Sequence, residues 1–367
     1  MIIYIADFNL PNTSAYSQHV LKMCDALKLY DKELYLIIPY KDKSLNFKKI
    51  KNDYLLKRNF KIKNFTNFKV NNKIFKIIFF LSTLFFLKNK NYKKNLIITR
   101  IPLLSLLMSI AGIKNVLEIH QDFHGISKLL FNIFFYFKLH KNIKFILIHK
   151  NLKKIFKFNK KHNCLVLDDG VDVSDFKNSK SKYVKKDCVY TGSLSQGKGF
   201  EIILELAKRM PKIKFRVYGD KRLLDKKFLF ENFPKNLIFK GHVKFKFIPK
   251  ILESAKILLL PYGKKVYGRS KGTNLVNYMS PLKLFEYLAS GSAIIASKLV
   301  VYNHILKNNY NSLLVPNDNI EKWMKSINTL YNNKKKIIKI TKKNKDFSKN
   351  FNWSGRAKKI INFYNEK

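Results

Sequence analysis

Two glycine-punctuated stretches of the 367-residue chain carry residue types that handle phosphate and hydroxyl groups. In SPLKLFEYLASG (280–291), Ser280 is a good N-cap, Pro281 suits the first helical position, and Gly291 can close the helix in the left-handed conformation. Lys283 and Glu286 lie three apart and share one helix face, either as a surface ion pair or as two contacts of a binding site. In GSLSQGKGFEIILELA (192–207), Gly192-x4-Gly197-Lys198-Gly199 nearly matches a P-loop, but Gly199 stands where a hydroxyl would hold Mg²⁺. A nucleotide hydrolase is therefore not expected. A strand, a glycine turn and a helix start remain, whose free N–H groups and Lys198 ammonium suit a phosphate, although a plain βα turn would use the same glycines.

A third stretch, EIHQDFH (118–124), spaces His120 and His124 like a zinc-protease motif. Gln121 replaces the required Glu, and the preceding apolar run reads as a strand, so zinc is not expected. Glu118 and His120 instead sit at the carboxyl end of that strand, where a structural role and a site role both stay open. The chain has no Gly-x-Gly-x-x-Gly, no Asp-x-Asp and no nucleic-acid-binding module motif.

These residues need elements to position them, and the apolar pattern supplies two sets. Strand-like runs at 2–7, 34–39, 95–99, 116–120, 144–149 and 164–169 alternate with helical segments such as 14–29, which Ser14 can cap. The order restarts with strands at 187–192, 214–219, 237–242, 257–261, 293–297 and 312–316, and helices at 199–210, 248–254, 281–290 and 320–331. Strands alternating with helices predict α/β units with parallel sheets. The expected division is 1–167 with a returning helix at 352–367, a polar linker at 168–183, and 184–351. Ligands of open α/β sheets sit at the carboxyl ends of strands, which predicts a site in the cleft between two facing domains.

Composition bounds the partners. Lys and Arg number 73 against 24 acidic residues, a formal charge of +49 that draws anionic partners. The lysines are spread along the whole chain, which a compositional bias explains as well as a functional patch does. Three scattered cysteines form no disulfide framework or CxxC pair and suit a reducing cytosol. No signal peptide is read at the start, MIIYIADFNLP. The longest apolar run, 77–87, is too short to span a bilayer and reads as a buried helix ahead of an interfacial one. The aromatic-rich segment 129–140 likewise reads as a core helix ahead of a membrane-docking one.

Taken in order, these pieces resemble the retaining GT-B glycosyltransferases of family 4 over nearly the whole chain. YTGSLSQGKGFEIILELA is similar to the family's donor-domain opening, and SPLKLFEYLASGSAIIAS to its strongest signature, a helix-borne Glu followed by Ala-x-Gly and a strand. DDGVD resembles the interdomain turn, FNWSGRA the C-terminal crossover helix, and ITRIPLLSLLMSIAGIKNVLEIHQ the acceptor-domain stretch that ends in a site His.

The resemblance implies two Rossmann-like domains and transfer of a hexose-type sugar, with retention, from a nucleotide diphosphate to a glycan or lipid-linked acceptor. Cell-surface polysaccharide or lipopolysaccharide synthesis is the implied setting. It implies a site in which His120, Lys198 and Glu286 are catalytic: Glu286 on the ribose hydroxyls, Lys198 on the departing diphosphate, His120 near the transferred sugar. Glu118, Gly192, Ser193, Gly197, Ser280, Leu282 and Lys283 complete the substrate-binding set, with the N–H groups of Leu282 and Lys283 facing the diphosphate. Tyr278 stands where many members have a second Glu, and Ser193 where many have Arg; Lys283 is the candidate replacement for that cation. No metal or cofactor is expected, no nucleic acid partner, and a cytoplasmic location that extends to an anionic inner-membrane surface. The rival readings are a sugar-nucleotide epimerase of the same fold, and a non-catalytic basic protein that binds membrane or nucleic acid.

Overall fold

The structure, a computed structural model, describes residues 1–65, 73–88, 95–159, 162–176, 187–228, 231–267 and 274–366. The chain forms two compact units, Met1–Asp168 with Trp353–Lys367, and Asp169–Asn352.

The first unit runs β1 (Ile2–Ile5), β2 (Asn9–Leu10), α1 (Ala15–Leu27), β3 (Leu34–Ile38), β4 (Tyr40–Lys41), α2 (Phe47–Asp53), β5 (Lys61–Asn64) and α3 (Lys73–Lys88). It continues with β6 (Leu96–Thr99), α4 (Pro102–Ile110), β7 (Asn115–Ile119), α5 (Gly125–Tyr136), β8 (Ile143–Leu147), α6 (Asn151–Ile155) and β9 (Cys164–Val166). Its sheet is parallel, in the order β5-β3-β1-β6-β7-β8-β9. β1, β6 and β7 are buried throughout, as strands covered on both faces must be. Ser14 caps α1, its hydroxyl accepting from the Ser17 N–H at 3.2 Å.

Strand order fixes where the helices lie. The chain steps from β1 to β3 to β5, returns across β1 to β6, and then steps on to β9. Right-handed crossovers put α1 and α2 on one face and α3 to α6 on the other. Phe79 and Phe86 of α3 and Leu104 and Met108 of α4 accordingly share one core cluster with Ile3, Ile5 and Ile97 of the sheet.

The expectation of a buried helix over 77–87 is half met. Phe79, Phe80, Phe86 and Leu87 are buried, whereas Ile77, Ile78, Leu81 and Phe85 are exposed. The core reading of 129–140 is overturned. Within α5 only Phe131 is buried, and Leu129, Ile133 and Tyr136 face solvent. A single layer of helices leaves the second apolar side of each helix uncovered.

The second unit runs β10 (Cys188–Thr191), α7 (Phe200–Arg209), β11 (Phe215–Tyr218), β12 (Leu237–Phe239), α8 (Ile248–Glu253), β13 (Ile257–Leu260), α9 (Leu282–Ala289), β14 (Ala293–Ser297), β15 (Leu313–Val315), α10 (Ile320–Asn332) and α11 (Lys334–Ser348). α12 (Trp353–Asn365) then belongs to the first unit, where it packs on α1. The second sheet is parallel in the order β12-β11-β10-β13-β14-β15, which is doubly wound with its switch point between β10 and β13. Successive residues alternate between its two faces. Tyr190, Val217, Leu259 and Ile295 join a core with Phe200, Ile203 and Trp323, while Val189, Leu258, Leu260 and Ile294 join another with Leu284, Phe285 and Leu288. Of the segment read as a linker, Val171 and Phe176 are buried in the latter core, and 177–183 lies outside the described residues.

Candidate functional site

In the second unit, the candidate residues gather at the carboxyl ends of β10 and β13. β10 ends at Thr191, Gly192 follows it, and the turn 193–199 leads into α7. Gly199 sits at the helix N-cap with φ +88°, and a Cβ there would lie 1.7 Å from the carbonyl oxygen of Pro261. The glycine turn is thus held tight against the chain that leaves β13. Gly199→Ala combines this backbone clash with an unfavourable φ. It is expected to cost roughly 3 kcal/mol, read as a lowered urea midpoint with an unchanged slope.

Lys198, next in the turn, is half-buried, and its Nζ lies 5.4 Å from the centre of the Tyr262 ring. Burial lowers its pKa from 10.5 to about 8. Lys283, in the first turn of α9, reaches the same ring, with Nζ 5.3 Å from Tyr262 and 4.2 Å from the Tyr190 ring centre. Its Nζ is buried without a hydrogen-bond partner. Burial, and then repulsion by Lys198, hold its pKa well below the usual lysine value, against the pull of Glu286. A Cβ on Gly192 would stand 2.5 Å from that Nζ, so glycine is what lets the ammonium lie over the end of β10. Two desolvated amino groups beside two tyrosine faces are suited to an anion, because a phosphate would supply the counter-charge both lack.

The remaining residues of this set divide. Glu286 is buried on α9, one turn beyond Leu282 and Lys283. The N–H groups of Leu282 and Lys283 lie in the first turn, where no intrahelical carbonyl can reach them. Gly197 belongs to the turn itself, its carbonyl accepting from the Gly263 N–H at 3.0 Å. Ser193 is spent within the turn: its hydroxyl donates to Ser195 Oγ at 2.9 Å and accepts from the Ser195 N–H at 3.2 Å. Ser280 does not cap α9. Pro281 is the N-cap, and Ser280 Oγ accepts from the Asp169 N–H at 3.1 Å. The proline, with φ fixed and no N–H to satisfy, begins the helix without a side-chain cap. Gly291 follows α9 with φ +64°, in the left-handed region.

In the first unit, Glu118 is the penultimate residue of β7 and is fully buried. Its Oε2 accepts from the Tyr4 hydroxyl at 2.7 Å, and its Oε1 from Arg356 of α12 at 2.5 Å. The imidazole Nε2 atoms of His19 and His120 lie 3.0 and 3.2 Å from the same Oε1. Burial opposes its charge, but Arg356 and then His19 hold the carboxyl well below the ordinary range. Both oxygens are committed to the protein's own groups. Glu118 is thus placed to hold His120 more than to meet a ligand itself.

His120 follows β7 and is pushed down to about 3, first by burial and then by the positive charge of Arg100, so it is neutral in ordinary buffers. A neutral imidazole in contact with a carboxylate can donate or accept toward a sugar hydroxyl without carrying charge. Arg100, just past β6, lies 4.2 Å from the centre of the Tyr16 ring and has a buried Nη1 without a hydrogen-bond partner. Sequence reasoning missed Tyr4, His19, Arg100 and Arg356. One signal was available: seven arginines stand among 66 lysines, the remainder of the 73 basic residues. In so lysine-biased a chain, an Arg is a candidate for a place that needs a planar guanidinium, as at Arg100 and Arg356.

With this geometry in hand, comparison with known proteins is specific. Residues 185–333 match the family model described as Glycosyl transferases group 1. An uncharacterized glycosyltransferase of Methanocaldococcus jannaschii is 24% identical over 269 residues, 70% of this chain and 71% of that protein. Among solved structures, Anabaena HepE in complex with UDP aligns with TM-score 0.69 at 15% identity over 99% of both chains. A glycosyltransferase from Rickettsia africae aligns with TM-score 0.72 at 12% identity over 99% of this chain and 97% of that one. WaaG, a glycosyltransferase involved in lipopolysaccharide biosynthesis, aligns with TM-score 0.65 at 9% identity over the whole of both chains. The fold is α/β with two parallel-sheet domains, that of GT-B glycosyltransferase structures.

Proposed function

We propose that this chain is a glycosyltransferase that takes a hexose-type sugar from a nucleotide diphosphate and attaches it, with retention, to a hydroxyl of a glycan or lipid-linked acceptor. The observation that carries this reading is the pair of desolvated amino groups, Lys198 over the Tyr262 ring and Lys283 over the Tyr190 and Tyr262 rings, at the carboxyl end of β10. They lie within the segment that matches the group 1 glycosyltransferase model. The M. jannaschii relative, and the UDP and UDP-glucose complexes of HepE, support a nucleotide-sugar donor. The three cysteines are free, in keeping with a cytoplasmic enzyme.

In this reading the donor diphosphate enters between the two ammonium groups and the first turn of α9, and Glu286 accepts from the ribose hydroxyls. The bond between the sugar C1 and the phosphate oxygen breaks as the acceptor oxygen forms its bond on the same face, and the leaving phosphate takes the acceptor proton. No protein carboxylate has to act as a nucleophile. The barrier then depends on stabilising the negative charge on the leaving diphosphate, which is the task of Lys198 and Lys283. His120 and Arg100 are the groups of the first unit suited to sugar hydroxyls and to an anionic substrate group.

A thermal-shift panel of sugar nucleotides tests the reading and identifies the donor, since a ligand at a hundred times its Kd adds about 2.7 kcal/mol to stability. Absence of a shift with every nucleoside diphosphate sugar sinks it. Glu286→Ala is expected to weaken donor binding about ten- to a hundredfold in titration calorimetry with little change in kcat, the signature of a contact made equally in ground and transition states. Because the cations that meet the diphosphate are lysines, transfer is expected to survive EDTA. Complete loss that Mg²⁺ restores would assign the diphosphate to a metal instead.

A further inference from the structure

The helices that cover one face of the first sheet present a second apolar side to solvent. On α3, Ile77, Leu81 and Phe85 recur at helical spacing, and on α5 so do Leu129, Ile133 and Tyr136; all six are exposed, Tyr136 by 82%. The two helices lie in one layer with α4, which packs against α5. Elsewhere, exposed large apolar side chains such as Leu223, Phe247, Val300 and Ile338 stand singly on different segments. Apolar side chains grouped on the outer side of one helix layer mark an interaction surface.

Charge says what covers it. From residue 73 to residue 159 the chain has two acidic residues, Glu118 and Asp122. Glu118 is buried in the polar cluster, and Asp122 pairs with Lys128 at 3.4 Å. Crossover helices run against the strands of a parallel sheet, so the C-terminal ends of α3, α4 and α5 share one edge. Lys88 ends α3, Lys114 follows α4, and Lys138 and Lys141 follow α5; all four are exposed. The apolar face is therefore rimmed by cations along one edge, and the half-buried Asp122 is already paired.

We propose that the outer face of α3, α4 and α5 seats on a bilayer surface rich in anionic lipid. The apolar side chains enter the boundary between headgroups and acyl chains while the lysine rim meets the lipid phosphates. A second copy of the chain would bring the same lysine rim against itself, which disfavours self-association through this face. Among the described residues no helix is long and apolar enough to cross a membrane, so the layer lies on the bilayer. The inference stands independently of the transfer reaction, since it uses none of the residues assigned to it.

The test is flotation of the full chain with vesicles of phosphatidylcholine alone and with one third phosphatidylglycerol. Binding is expected to favour the anionic vesicles by at least about tenfold. Leu129→Ser/Ile133→Ser/Tyr136→Ser is expected to lose about tenfold or more, and Phe247→Ser/Val300→Ser in the second unit to lose none. Equal binding to both vesicles overturns the proposal. So does binding that survives the triple change and disappears in high salt, because the diffuse positive charge would then suffice. Absence of vesicle binding also overturns it, and a doubled mass in light scattering would then make the face a self-association surface. Should the triple variant melt early, Tyr136→Trp in the otherwise native chain gives an independent reading. Its added emission is expected to be quenched by lipids brominated on their acyl chains, and lack of quenching overturns the proposal.

Discussion

Lys198→Met is expected to lower kcat at least a hundredfold while raising the stability of the protein. The rate effect follows from the task assigned to Lys198. Losing one preorganised donor to a developing negative charge costs about 3 kcal/mol, which is about two orders of magnitude in rate. The stability effect follows from burial. Desolvation holds this ammonium at a pKa of about 8, against 10.5 for an ordinary lysine, so the folded protein at neutral pH carries a charge it disfavours. Between the folded and unfolded values the unfolded chain binds more protons, so this unfavourable contribution fades as pH rises from about 8 toward 10.5. An apolar side chain of similar length removes it, for a gain of roughly 1–3 kcal/mol at pH 7. Wild-type kcat/KM should also fall as pH rises through about 8, because the free enzyme then loses the cation that meets the diphosphate. A variant that is both slower and less stable would show that Lys198 is a packing residue whose loss disturbs the turn. Chemical denaturation and steady-state kinetics on the same preparation separate the two outcomes.

The parts of the molecule legible in the sequence are those fixed by local pattern. Alternating apolar runs and helical stripes placed the strands of both sheets except β5, because fully buried parallel strands leave near-continuous apolar runs, whereas the half-exposed KIKN of that edge strand leaves none. The glycines of 192–199 marked a tight turn, and the structure shows the need for them in the φ of Gly199 and its approach to Pro261. The pairing of Lys283 and Glu286 on one face was legible from their spacing alone. What lay beside Lys283 was not, since Tyr190 comes from β10 and Tyr262 from the chain after β13.

Long-range partnerships escaped for the same reason. Glu118 and Arg356 are 238 positions apart, and no local periodicity links them. α11 was missed because its buried stripe, Ile340, Asn344 and Ser348, is mostly polar and lies among lysines. Asn344 belongs there because its amide donates to the carbonyl of Ser292 at 3.1 Å. The error over α5 is of another kind. Its composition reads as core from every side, and sequence cannot say that only one side has a sheet to pack on.

Arg356→Ala is the second change expected to have a large effect, and it acts through Glu118. The guanidinium donates from Nη2 to Glu118 Oε1 and from Nε to the carbonyl of Asp168 at 2.9 Å. Removing it leaves a carboxylate in a fully buried position with the Tyr4 hydroxyl and two imidazoles as its remaining partners. Breaking a buried ion pair from one side costs about 3–5 kcal/mol, and Arg356→Lys should recover only part of it, because one ammonium cannot reproduce the two-pronged geometry. The pH dependence identifies the cause. In the wild type Glu118 is held below its unfolded pKa, so its contribution is present above about pH 4 and is lost as pH falls through the folded value. In Arg356→Ala, burial is no longer offset, and Glu118 takes up a proton at higher pH. The stability gap between the two proteins should therefore be widest near neutrality and narrow toward pH 4. Adding Glu118→Gln to Arg356→Ala should recover part of the loss at neutral pH, since a neutral amide needs no counter-charge. A gap that stays constant with pH, and is unmoved by the second change, would assign the loss to the packing of Arg356 against Met23 in α1, whose sulfur lies 3.5 Å from Nη1.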